Sequence, residues 1–196
     1  MAQLIAFTGP AGSGKSTAAR AVGAEIGAER IAFADTLKAM LRVLYGDLGM
    51  LPERCHALLY GDAKGEWLAE LGGRSSRHAM QTLGTEWGRH GICADLWVRS
   101  WRWRAASWLR EGVPVVVDDV RFPNEAVAVR ELGGVVVALA GRGGIGAEHL
   151  SETASWADLG DVVVENAGDC VPEDLARRVL VAVSRAELRE TGEDRR

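Results

Sequence analysis

Residues 9–16 read Gly-Pro-Ala-Gly-Ser-Gly-Lys-Ser and satisfy GxxxxGK[ST] at every fixed position. The octet follows a short apolar run, Gln3–Thr8, and opens an Ala-rich stretch of helical spacing, Lys15–Ile26. Strand, glycine-rich turn and helix in that order restrict the fold more than anything else in the chain. The glycines let the backbone curl tightly and aim successive N–H groups inward, and the helix that follows adds the positive end of its dipole. Such a turn is built to hold a polyphosphate. The N–H groups from about Gly12 through Ser13 and Gly14 to Thr17 are expected to form the cradle. Lys15 is expected on the β- and γ-phosphates, Ser16 on Mg²⁺ and Thr17 on the α-phosphate.

The rest of the chain alternates strands and helices. Further strands are predicted at Ile31–Ala34, Val113–Val117, Val135–Ala140 and Asp161–Glu165, each a short run apolar on both faces. Asp35 stands where a helix N-cap would be, ahead of Leu37, Met40, Leu41 and Leu44. Residues 46–76 are less regular, with a helix at about Pro52–Tyr60 and another within 63–71; Arg77–Gly88 reads as a loop and helix. Asp95–Glu111 is an amphipathic helix with Trp97, Val98, Trp101, Ala105, Trp108 and Leu109 on one face and Arg99, Arg102, Trp103 and Arg110 off it. Helices at Asn124–Leu132 and Pro172–Leu188 complete the pattern. The expectation is a three-layer α/β domain, a five-stranded parallel sheet with helices on both faces. It covers residues 1–196 as one domain, with an insertion at about 35–111 and a lid-like segment at about 141–158.

Totals exclude several classes. The net charge of -4 argues against a broad nucleic-acid-binding surface. Cys55, Cys93 and Cys170 are odd in number and widely spaced, so neither a disulfide framework nor a zinc site is supported. No apolar run approaches the ~20 residues of a membrane span, and no signal-peptide core precedes the first strand. The expected setting is the cytoplasm.

A second chemical element ends the Val-rich strand. Asp118 directly follows the apolar run and is favoured as the carboxylate that holds the magnesium through water; Asp119 serves instead or as well. The aspartate strand is the third of five, and a polar insertion follows the fourth. That order resembles the nucleoside monophosphate kinases. Three segments sharpen the likeness: Phe33-Ala34-Asp35-Thr36-Leu37-Lys38, Gln81-Thr82-Leu83-Gly84-Thr85-Glu86-Trp87-Gly88-Arg89, and Asp118-Asp119-Val120-Arg121-Phe122-Pro123-Asn124-Glu125-Ala126, followed by His149-Leu150-Ser151-Glu152. With the glycine-rich loop, they resemble the phage-type deoxynucleoside monophosphate kinase family over about residues 3–175. The resemblance implies transfer of the ATP γ-phosphate to a deoxynucleoside monophosphate, with Mg²⁺, in a homodimer, and in the host cytoplasm if the gene is a phage's.

Phosphoryl transfer needs two anions brought in line and their charge neutralised. Arg77, Arg89, Arg121 and Arg142 fall in or beside polar loops at or near predicted strand ends, where open α/β sheets bind ligands. Arg121 is assigned to the acceptor phosphate, Arg77 and Arg89 to that phosphate or the transferring group, and Arg142 to ATP and catalysis at the opening of the lid. Asp35 suits the acceptor sugar or phosphate, Lys38 its charge; Gln81 and Asp119 are placed with the acceptor, and Trp87 either stacks on a base or packs inside. Asn166 ends the last strand, near where adenine sits in such folds. Two other readings stand beside this one: a kinase for a different small acceptor such as dephospho-coenzyme A, and an ATPase associated with nucleic acid.

Overall fold

The computed structural model describes residues 2–141, 156–166 and 170–191. The chain divides into two compact units, one of residues 1–33 with 101–196 and one of residues 34–100.

The first unit is a parallel sheet. Its strands are β1 (Leu4–Thr8), β2 (Glu29–Arg30), β5 (Val115–Val117), β6 (Val135–Ala140) and β7 (Val162–Glu165), in the order β2-β5-β1-β6-β7. All pairs are parallel, with Ala6 beside Val117 and Phe7 beside Val137. Side chains alternate between faces, as strand geometry requires. Ile5, Phe7, Val116, Val137 and Leu139 meet α1 (Lys15–Ile26) and α8 (Pro172–Thr191) through Ala18, Ala19, Val22, Leu175 and Val179. On the opposite face Leu4 and Val129 of α6 (Pro123–Glu131) close so tightly around Gly134 that a Cβ there would lie 2.5 Å from Leu4. α7 (Trp156–Leu159) closes β6, where Gly160 leaves room for Ala138.

Sequence chemistry explains the element ends. α1 stops at Gly27, which takes a left-handed φ of 65°, while Ala28 N donates back to Gly23 O at 2.9 Å. α6 starts with Pro123 in its first turn, and the Glu125 carboxylate accepts from Arg121 N (2.7 Å) and Phe122 N (3.1 Å).

The second unit carries α2 (Asp35–Asp47), α3 (Pro52–Leu59), a hairpin of β3 (Trp67–Leu68) and β4 (Arg74–Ser75), and α4 (Ser76–Gln81). α4 runs on as a π-helical stretch, Thr82–Ile92, ahead of α5 (Leu96–Arg110), within which the division between the units falls. Its core joins Leu37, Leu41, Tyr45, Leu58, Leu59 and Trp97. The Tyr45 hydroxyl donates to Ser76 Oγ at 2.8 Å, with both residues fully buried. Burial pushes the Tyr45 phenol above its ordinary 10.0, so its contribution to stability is intact below that pH and is lost as the pH rises from there through the raised value. Tyr45→Phe removes the partner of a buried hydroxyl and is expected to cost about 1–2 kcal/mol, read as a lower urea midpoint at constant slope.

Four expectations shift. The second strand is Glu29–Arg30, not Ile31–Ala34, although Ile31 N still donates to Val116 O at 3.0 Å. Strand propensity pointed at the buried apolar residues, but pairing with β5 is set by the residues before them. Asp35 is the first residue inside α2 and Ala34 the cap, with no side-chain cap bond. The stretch 77–88 is helical throughout. On α5, Trp97, Val98, Trp101 and Ala105 are buried, whereas Trp108 is exposed and Leu109 half-buried. Among the described residues no helix is long and apolar enough to cross a membrane.

Candidate phosphate-transfer site

The glycine-rich loop leaves β1 and enters α1. Gly9, Gly12 and Gly14 hold φ of 144°, 80° and 92°, values that L side chains rarely adopt. Gly14 is fixed twice over, because a Cβ on it would meet Asn166 Nδ2 at 2.6 Å. Asn166 follows β7, is buried, and donates from Nδ2 to Ser13 O at 2.9 Å, while its own N donates to Ala140 O at 2.9 Å. Its amide nitrogen thus straps the loop to the far side of the sheet. The adenine contact foreseen for it would have to come from its remaining atoms.

Lys15 curls back into the loop. Its Nζ donates to Gly9 O and Pro10 O, both at 2.7 Å, and lies 3.4 Å from Ser13 Oγ. Three acceptors gather a full positive charge inside the ring of glycines. Ser16 and Thr17 are exposed in the first turn of α1, a turn with no acidic residue and no side-chain cap. The N–H groups of a first turn have no intrahelical acceptor, so this end offers donors and dipole to an anion.

Beside β1, the end of β5 is irregular. Val115 N donates to Gln3 O, and a ladder continued from there would bring Asp119 N to Phe7 O. Instead Val120 N reaches Phe7 O at 3.2 Å, so one extra residue is accommodated at Asp118–Asp119. The two carboxylates then do different work. Asp118 is buried, its side chain 3% exposed, and its Oδ1 lies 2.6 Å from Arg30 Nη2. Asp119 accepts from Phe33 N at 2.9 Å and fixes the chain as it leaves β2. Arg121 is exposed just beyond, its backbone N held by Glu125.

The first unit therefore gathers the loop, Asp118, Asp119, Arg121 and Asn166, and adds Arg30, which sequence reasoning missed because β2 was set two residues too late. The second unit carries Asp35, Lys38, Arg77, Gln81, Trp87 and Arg89. Arg77 is exposed, and Arg89 Nη1 donates to Ala94 O at 3.1 Å. Trp87 is 44% exposed. It lines an open concavity of about 340 Å³ with Leu71, Arg74, His78, Ala79, Thr82 and Leu83. Lys38 Nζ sits 4.6 Å from the Tyr60 ring centroid. Arg142, His149 and Glu152 lie outside the described residues, as does most of the lid-like segment.

Among the described residues no group of three or more His, Cys, Asp or Glu is placed to hold a metal by itself. Of the two residues expected to serve magnesium, Ser16 is exposed at the start of α1 and Asp118 is buried against Arg30.

Two solved structures are similar over nearly the whole chain. One is a sugar kinase from Janibacter sp. HTCC2649 in an unliganded structure, 18% identical, covering 94% of this chain and 95% of that one, with a TM-score of 0.43. The other is a gluconokinase from Sinorhizobium meliloti 1021, 17% identical, covering 96% and 95%, with a TM-score of 0.40. Likeness of that degree does not speak to the acceptor. No family model and no curated protein matches the chain.

Proposed function

We propose that the chain is an ATP-dependent kinase that moves the γ-phosphoryl group of ATP to a deoxynucleoside monophosphate, yielding ADP and a deoxynucleoside diphosphate. The observation that carries the reading is the loop itself: positive-φ glycines, the Lys15 ammonium drawn inside them, and the buried carboxylate of Asp118 on the adjoining strand. The acceptor class rests on the LGTEWGR and DDVRFPNEA strings.

In this reading the loop N–H groups grip the triphosphate, and Lys15 exchanges its carbonyl partners for phosphate oxygens. Gly14, held in its left-handed conformation and hemmed in by Asn166, keeps the loop open. Ser16 and Asp118 would hold magnesium, which would supply charge neutralisation when bound. The acceptor phosphate is already anionic at neutral pH, so no strong general base is required. Positioning and electrostatics carry the rate, with Arg121, Lys38, Arg77 and Arg89 assigned to the acceptor side and Arg142 to the ATP side.

A coupled assay with ATP and Mg²⁺ tests the reading across the eight common nucleoside monophosphates, dephospho-coenzyme A, a sugar acid and single-stranded DNA. Turnover with one or more deoxynucleoside monophosphates supports it. Turnover confined to another acceptor, or ATP hydrolysis stimulated by DNA, overturns it. Within the reading, Arg121→Ala is expected to raise KM for the monophosphate about tenfold or more, and KM for ATP much less. Steady-state kinetics with each substrate varied in turn checks this; equal losses for both would move Arg121 to the transferring group.

A further inference from the structure

α2 puts Asp35, Lys38 and Arg42 on one side, at helical spacing. Lys38 and Arg42 converge on one aromatic ring. Lys38 Nζ is 4.6 Å and Arg42 Cζ 5.6 Å from the centroid of Tyr60, the residue that caps α3. The other partner of that ring is His56, stacked at 5.2 Å with 26° between planes. Among the described residues neither Lys38 nor Arg42 makes an ion pair.

One cation over a tyrosine is a common packing device, in which the long stem covers the ring and the head reaches water. Two cations on the same ring are costlier, since they repel each other and, among the described residues, neither is in an ion pair. What the arrangement lacks is an anion of two charges. A phosphate monoester fits: it carries about -1.5 to -2 at neutral pH, accepts the two-pronged fork of an arginine, and accepts a lysine as a point charge. Tyr60 limits the rotamers of both side chains, so less conformational entropy is lost when they close on such a group.

We infer that Lys38 and Arg42, held on Tyr60, form the platform in the second unit that takes the phosphate monoester of the acceptor, with Arg42 a binding residue beyond those assigned above. The inference deepens the kinase reading and rests on it for the identity of the monoester. Calorimetric titration of the full chain with dGMP, in saturating ADP so that the glycine-rich loop is filled, tests it; inorganic phosphate and deoxyguanosine are the second and third titrants. Arg42→Gln and Lys38→Gln are each expected to weaken dGMP by about tenfold or more, and phosphate in parallel. Deoxyguanosine affinity should hold in both variants. Parental dGMP affinity in Arg42→Gln overturns the platform, even if the acceptor panel shows monophosphate kinase activity. Equal loss of deoxyguanosine and dGMP affinity overturns it as well, by marking a packing role, and so does a parent chain that binds neither dGMP nor phosphate. Arg42-dependent phosphate binding in a chain that phosphorylates no monophosphate leaves the anion platform standing and removes the kinase reading alone.

Discussion

Lys15→Ala is expected to lower kcat by about 10³-fold or more, roughly 4 kcal/mol of transition-state stabilisation, while KM for ATP rises far less. The split follows from the geometry. Much of the grip on a triphosphate comes from backbone N–H groups and the α1 dipole, which the substitution leaves in place. The Lys15 ammonium is the one charge inside the loop, seated 2.7 Å from both Gly9 O and Pro10 O. Charge that develops on the transferring group meets that ammonium and not the exposed helix surface. The fold should survive, because the carbonyls it leaves can be taken up by water. Single-turnover kinetics at saturating ATP, with thermal melting as the control, measures the effect. A kcat near that of the parent chain would contradict the assignment of the loop.

Asp118→Asn is expected to cost about 10²-fold or more in kcat and to raise the Mg²⁺ concentration needed for half-maximal rate. Asparagine keeps the shape and can still accept from Arg30, so the loss should fall on catalysis more than on stability. Asp118→Ala would add a stability loss. Removing one partner of a buried ion pair is strongly destabilising in principle, but the Arg30 side chain is 37% exposed and water screens it. About 1–2 kcal/mol is the fitting scale after that discount. The control is Asp119→Asn, which loosens the contact to Phe33 N. If Asp119→Asn shifts the Mg²⁺ dependence and Asp118→Asn does not, the two carboxylates exchange roles.

Much of the first unit was legible because its signals are local. The motif at 9–16 fixes a turn, and Lys15–Ile26 is the helix foreseen, residue for residue. Val135–Ala140 was equally plain, since six apolar residues between glycines leave little choice. The five-stranded parallel sheet followed from alternation alone. What stayed hidden depends on partners far along the chain. Arg30 finds Asp118 across 88 residues, and nothing near either announces it. Asn166 finds Ser13 across 153. The one-residue slip at Asp118–Asp119 is a matter of pairing, invisible to composition, yet it lets neighbouring carboxylates take separate partners. In the second unit, Arg77–Gly88 was read as a loop and helix, but the chain is helical throughout. Gly88 is needed because a Cβ would lie 2.6 Å from the Trp97 ring. Tertiary crowding, not turn geometry, requires that glycine.

Phosphorus-31 NMR of the purified chain with ATP, Mg²⁺ and a deoxynucleoside monophosphate follows the terminal phosphoryl group directly. The account predicts that the γ resonance of ATP declines as the two doublets of a new nucleoside diphosphate grow beside those of ADP, with little inorganic phosphate. Growth of inorganic phosphate alone, with the monophosphate signal untouched, would contradict it.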